Sequence, residues 1–424
     1  MSEADGAVDV LTQPRRGVSA DLLGALSLAG LGFAIAGLGA CVALLARDLG
    51  ESTDQLAVLP SAFAVGLLIV AGIGPLLLRT DAKTPVLRAG AIVCAAGAVL
   101  LAVAQNLVVA LAGGLFVGLG GALMILVVPL LLSGPRAALR IARVNAVSST
   151  VGIFAPLIIG TLDSLGPTGR LAMLLAAVPL VLLIPLLRSS RELQAQEAQR
   201  PLDAARMGGS ADAAPASAVS SAGRRPASRR EPHHPQPRGG VWVGVFGGWS
   251  RVVLAMAVEF CFVIWAVARM VATGLPTGTA ALLASAFPIG MAVGRMIGPV
   301  RVRGVSPLMP GAVLAGLGTV CVTLFDGPAV VTVGLALAGL GVATFYPIVL
   351  ADLISIPGVS PAHLASLSAC ASGVAILLAP AALAALAGVV ELRTAFLIPL
   401  PLLLVLLLVR RPGSDSDQAE TARP

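Results

Sequence analysis

The sequence predicts an all-α integral membrane protein of twelve transmembrane helices, arranged as two pseudo-symmetric six-helix bundles. Three observations lead there: the composition, a succession of twelve apolar runs interrupted once by a polar stretch, and a motif that recurs 224 positions after its first appearance. Of the 424 residues, 57% are hydrophobic and 12% charged, and the mean hydropathy is +0.96. Soluble domains carry about twice that share of charge, and so much apolar sequence would leave a soluble fold with a large sticky surface. A bilayer tolerates it. Only helices and closed barrels satisfy their backbone hydrogen bonds in lipid, and runs rich in Leu and Ala, without period-two alternation, exclude the barrel.

A crossing helix needs about 20 apolar residues. The first six runs lie at 22–46, 56–78, 86–104, 107–132, 144–162 and 171–187. The next six lie near 252–272, 279–300, 308–325, 328–351, 364–389 and 395–409. Between the sets, the Arg-, Ala-, Ser- and Pro-rich stretch that includes "GRRPASRREPHHPQPRGG" has too little apolar sequence for a core and reads as a disordered linker. The expected organisation is a tail at 1–20, a bundle at 21–188, a linker at 189–244, a bundle at 245–411 and a tail at 412–424.

Basic residues test that count, because cytoplasmic loops hold the excess of Arg and Lys. Arg79, Lys83, Arg88, Arg136, Arg140, Arg143, the linker arginines, Arg295, Arg301, Arg303, Arg410 and Arg411 all fall on one side. The other side has only Arg47, Arg170, Arg269 and Arg393. Both termini are therefore expected in the cytoplasm, in a plasma or inner membrane. A cleaved lipoprotein signal ending in "LGAC" at Cys41 is the competing reading. Its apolar stretch exceeds the roughly 7–15 residues of a signal h-region, and cleavage would delete the first helix. The net charge of +7 thus reads as topology rather than nucleic-acid binding. The five scattered cysteines, and His233 and His234 in the linker, give no metal or disulfide pattern.

"IGPLLLR" (Ile73–Arg79) returns as "IGPVRVR" (Ile297–Arg303), and the same offset of 224 carries Ser148 and Pro156 onto Ser372 and Pro380. Six spans preserve orientation, so the halves are expected as parallel repeats about an axis along the membrane normal. On these features the chain resembles the major facilitator superfamily over nearly its whole length. That family's loop signature, G-x-x-x-D-R-x-G-R-[RK], is met here by Gly74, Arg79 and Lys83, with Leu78 at the Asp, Asp81 at the Gly and Ala82 at the first Arg of the final pair. The second copy keeps Gly298 and Arg303, with Val302 at the Asp, and "GMAVGR" (Gly290–Arg295) resembles the eighth helix. The resemblance implies alternating access between two bundles, with Gly74, Arg79, Asp81, Lys83, Gly294, Arg295, Gly298 and Arg303 in the gating loops. The missing Asp removes one contact that stabilises an access state in the family.

An acid inside lipid costs about 2.5–3.5 kcal/mol on insertion scales and marks a functional site by default. Glu259, eight residues and roughly 12 Å beyond Arg251 on the seventh helix, is the clear candidate for exchanging protons or binding solute. Trp265, Asn145, Ser149, Thr344 and Tyr346 are candidate cavity residues, each also explicable as a contact between helices. Trp265 lies about 120° around the helix from Glu259, and a cation–π pair with Arg269 is the structural alternative. Asp352 and His363, at the inner ends of helices ten and eleven, are explained equally well by solvation as by a place in the cavity.

The resemblance further implies a secondary transporter of a small organic solute, with no catalysis and no cofactor. The expected partners are the lipid bilayer, the solute and protons, with no nucleic acid, and the chain is expected as a monomer. No GxxxxGK[ST] motif is present to supply ATP. The helix-four Arg common in the family's exporters is Gly114 here, and its helix-five export pattern survives only as Pro156 and Gly160. Asn and Gln are nearly absent from the spans, which argues for a solute with apolar surface. Export of an amphipathic compound therefore leads over symport of a sugar or amino acid. A sensor or scaffold without transport is the reading of another class.

Overall fold

The computed structural model describes residues 19–50, 58–77, 83–132, 137–166, 169–188, 238–298, 306 and 308–409. Every apolar run of the sequence is helical there, and no strand occurs among the described residues. The first half comprises α1 (Ala20–Leu49), α2 (Val58–Leu77), α3 (Lys83–Val103), α4 (Leu107–Leu131), α5 (Ala137–Leu165) and α6 (Gly169–Arg188). The second comprises α7 (Arg238–Val271), α8 (Thr277–Ile297), α9 (Met309–Leu324), α10 (Pro328–Ile354), α11 (Pro361–Ala387) and α12 (Leu392–Leu408). Among the described residues nine are long and apolar enough to cross a membrane, and shorter apolar helices occupy the places of α2, α9 and α12.

Capping explains several boundaries. The side chains of Ser19, Asn106 and Ser360 accept hydrogen bonds from the first free amides of α1, α4 and α11, satisfying donors that have no partner inside the helix. Gly50 ends α1 at φ 66°, a conformation cheap only for glycine. Two helices are interrupted in mid-course, α8 at Ser285 and α10 at Ala343–Thr344. Helix α7 starts at Arg238, inside the stretch expected as linker, so Arg251 lies well within a helix and not at its edge. The rest of the linker, with His233 and His234, lies outside the described residues, as do both tails beyond residues 18 and 409 and the gating residues Arg79, Asp81 and Arg303.

The packing repeats pair by pair. In the first half α1 packs on α5, α2 on α4 and α3 on α4; in the second, α7 packs on α11, α8 on α10 and α9 on α10. Glycines let these backbones meet. A Cβ on Gly118 would lie 2.0 Å from the Phe63 carbonyl oxygen, and one on Gly339 would lie 2.1 Å from that of Phe287. The pairs Gly97–Gly113 and Gly90–Gly120 recur as Gly318–Gly334 and Gly311–Gly341. Close approach of small residues is how helices associate where lipid supplies no hydrophobic drive. These equivalences correct the single offset: 224 relates α2 to α8 and Pro156 to Pro380, whereas 221 relates α3 and α4 to α9 and α10. Three residues are thus lost before α9 and regained after α10.

The halves meet along α1 with α7, α2 with α11 and α5 with α8. Backbones of the two halves come close toward the end opposite the start of α1, called here the far end. A Cβ on Gly39 would stand 2.2 Å from the Val263 carbonyl oxygen, and one on Gly160 2.6 Å from that of Gly278. Exposed apolar side chains line the outer faces of α3 (Val99, Val103), α6 (Val178, Val181, Leu182), α9 (Val313, Leu317) and α12 (Leu404, Leu408). An apolar belt of this kind is stable only against lipid.

Candidate functional site

Glu259 lies on α7, 9% exposed, where that helix faces the other half. Its Oε1 is 3.8 Å from Nη2 of Arg295 on α8. That is longer than the roughly 2.7–2.9 Å of a tight charged hydrogen bond, so the attraction is Coulombic and the pair is loosely held. Arg295 also reaches across the interface: its Nη1 donates to Ser149 Oγ on α5 of the first half. Ser149 in turn donates to the Asn145 carbonyl at 3.0 Å. One chain of contacts therefore runs from the buried acid of the second half, through a guanidinium, to a hydroxyl of the first.

Tyr346, opening the second segment of α10, brings its hydroxyl beside Ser368 and Ser372 of α11 and within electrostatic reach of Glu259. Ser372 Oγ donates to the Ser368 carbonyl. Ser368 Oγ is buried near Tyr346 without a well-formed hydrogen bond. A buried polar atom left in this state is either strained or waiting for a partner. The repeat equivalent of Ser372 is Ser148, the neighbour of Ser149. The site is thus an ion pair, a phenol and serines from both halves, set among apolar helices.

Of the residues expected at the site from the sequence, Glu259, Ser149 and Tyr346 come together, with Asn145 contributing its carbonyl. Thr344 sits half-buried at the break in α10. Trp265 is placed in packing: it is 2% exposed, and its indole N–H donates to the Pro380 carbonyl of α11 at 3.2 Å. Arg269 turns to carbonyls, donating to Val322 and Phe325 and pairing with Asp326 at 3.1 Å. Gly74 packs on Leu126, and Lys83 opens α3 on the surface. Gly294 meets the Leu340 carbonyl and Ala343 of α10, and Gly298 ends α8 at φ 74°.

Two features went unread in the sequence. Arg295, placed in the eighth span and among the gating residues, was not expected as the partner of Glu259. Asp352, left open between solvation and a role in the cavity, pairs at 2.8 Å with Arg251, which is 2% exposed. This pair ties α7 to α10. For Arg295 the signal was a charge within a span, which demands a partner but does not name it; Asp352 stood just past the end of its expected run and gave no such signal.

The fold is shared with solved transporters. A bacterial homologue of the human lysosomal transporter Spinster, inward-facing and unoccupied, superposes with a TM-score of 0.62 at 13% identity, over 92% of this chain and 95% of that one. The nucleoside transporter NupG gives 0.63 at 12%, over 91% and 97%. A D-xylose–proton symporter gives 0.65 at 13%, over 93% and 98%. A comparison with curated protein sequences finds no match. The sequence profile of the Major Facilitator Superfamily matches residues 22–367, so the chain, with its repeated six-helix halves, belongs to that superfamily of membrane transporters.

Proposed function

We propose that the protein is a proton-coupled secondary transporter that moves a small organic solute by alternating access, with Glu259 as the coupling residue. The observation that carries this reading is the cross-half link of Glu259, Arg295 and Ser149. With Glu259 ionised, its charge holds Arg295 where it can reach Ser149. A proton on Glu259 cancels that charge, frees the guanidinium, and removes one contact that ties the halves together. Proton occupancy and the relative position of the halves are then linked, as coupling requires. Arg79, Lys83 and the other basic residues lie on the cytoplasmic side in this reading, with both termini, in a plasma or inner membrane.

Export of an amphipathic compound is the direction we favour. Glu259 and Arg295 supply charge at one place, and apolar helices surround it, which suits a solute with one polar end and an apolar body. Symport of a metabolite is the second reading, favoured by the hydroxyls of Tyr346, Ser368 and Ser372, of which that of Tyr346 is within electrostatic reach of Glu259. Proton flux in proteoliposomes, measured with lipophilic cations, amino acids and sugars in turn, separates the two. The lead reading expects proton movement only with amphipathic compounds; movement driven by a sugar or amino acid selects symport. A protein that binds solute but moves neither solute nor protons is a sensor or scaffold.

A further inference from the structure

We propose that a groove between α3 and α6, at the end where α1 begins, binds the headgroup of an anionic phospholipid. The groove encloses about 330 Å³. Arg88 stands on its α3 wall and Arg188 closes its α6 wall. Thr84, Pro85, Ala89, Ile92 and Leu187 supply the rest of the lining, which is apolar apart from the Thr84 side chain. Among the described residues no ion pair joins either arginine to an acid.

Three observations converge on a lipid. First, the charges gather against a local preference. Arg88 lies in the second turn of α3, behind exposed Lys83 and with no acid in the first turn, although a helix N-terminus favours negative charge. Second, the fold does not demand an arginine there, since the equivalent residue of the second half, 221 positions on, is Met309. A topology signal needs basic residues near the loop, but it does not need two of them on facing walls of one groove. Third, α3 and α6 turn exposed Val99, Val103, Val178, Val181 and Leu182 outward, so the groove lies between two lipid-facing helices. Arginines at the polar end of an apolar slot match a phosphodiester with its acyl chains, and basic pockets between helix ends are known to take such headgroups.

The test is native mass spectrometry of the full-length protein offered equal amounts of phosphatidylglycerol and phosphatidylcholine. Wild type is expected to retain one phosphatidylglycerol with a preference of roughly tenfold or more, the scale of two arginines near a headgroup. R88Q/R188Q is expected to lose that preference and R88K/R188K to keep it. Ala89→Trp, which fills the slot and leaves both arginines, is expected to lose the lipid, and it carries the test if the glutamine variant fails to fold. Equal retention of both lipids by wild type, or an unchanged preference in R88Q/R188Q, overturns the proposal. Displacement of the lipid by excess inorganic phosphate overturns it too, and assigns the groove to a soluble anion.

Discussion

At the scale of single residues, Arg295 is the connection between the halves. It meets Glu259 through one terminal nitrogen and Ser149 through the other, a division of contacts that only a forked cation provides. Arg295→Lys keeps the charge but not both contacts. It is expected to slow proton-coupled transport by about tenfold, read as a lowered kcat/KM in liposomes. Ser149→Ala removes a hydrogen bond of about 1 kcal/mol and is expected to cost about fivefold. Equal rates in all three proteins would detach the contact from transport. Arg269 is a contrasting case. It is 1% exposed and satisfies the carbonyls of Val322 and Phe325, whereas its acidic partner Asp326 is 60% exposed and adds little through charge. Arg269→Met strands those carbonyls and is expected to cost about 1–3 kcal/mol of stability. A lowered melting temperature, with solute affinity intact, is the readout; an unchanged melting temperature would contradict it.

At the scale of elements, small residues set how closely helices approach, and therefore which state the halves adopt. Gly160 and Gly278 bring α5 and α8 together at the far end, and Gly39 brings α1 to α7. A side chain at Gly160 would collide with backbone, which cannot give way. Gly160→Leu is therefore expected to hold the far end open and to raise the reactivity of a Ser164→Cys probe toward a membrane-impermeant maleimide. Labelling equal to that of the Gly160 parent would refute the role of this contact. The helices themselves were legible from the sequence, because length and hydropathy are local properties. Their interruptions at Ser285 and Ala343–Thr344 carried a signal that went unread: Pro288 and Pro347 stand three residues beyond Ser285 and Thr344, and a proline removes an amide from the helix ladder and crowds the carbonyl four residues before it. The start of α7 at Arg238 was missed because "GGVWVGVFGGWS", in which the linker was expected to end at residue 244 and the seventh run to begin near 252, is glycine-rich and shows its helix only once it packs. Gly248 shows this, lying close against Leu353 of α10.

At the scale of the whole molecule, each half is closed on itself by charge at the far end. Arg47 joins Asp163 and Asp48, and Arg170 joins Asp48 and the Ala104 carbonyl. In the second half Asp326 joins Arg269 and Arg393. Such ties favour motion between halves over motion within them. The duplication was visible in "IGPLLLR" and "IGPVRVR", but the shift from 224 to 221 required the glycine contacts. Glu259 stood out because an acid in an apolar run is conspicuous. Its partnership with Arg295 and Ser149 depends on how α5, α7 and α8 converge, and pairing across a fold leaves no mark on the chain. The central claim is that a proton on Glu259 loosens that convergence. Spin labels at the repeat-related, exposed positions Ile73 and Ile297, in a background lacking the native cysteines, report the distance between halves. Pulsed electron resonance at acidic and neutral pH, on the labelled protein with and without Glu259→Gln, tests the claim most directly. The account predicts a distance distribution that shifts with pH when Glu259 is present and is fixed at its acidic form in the Gln variant. A variant that still follows pH as the parent does would contradict it.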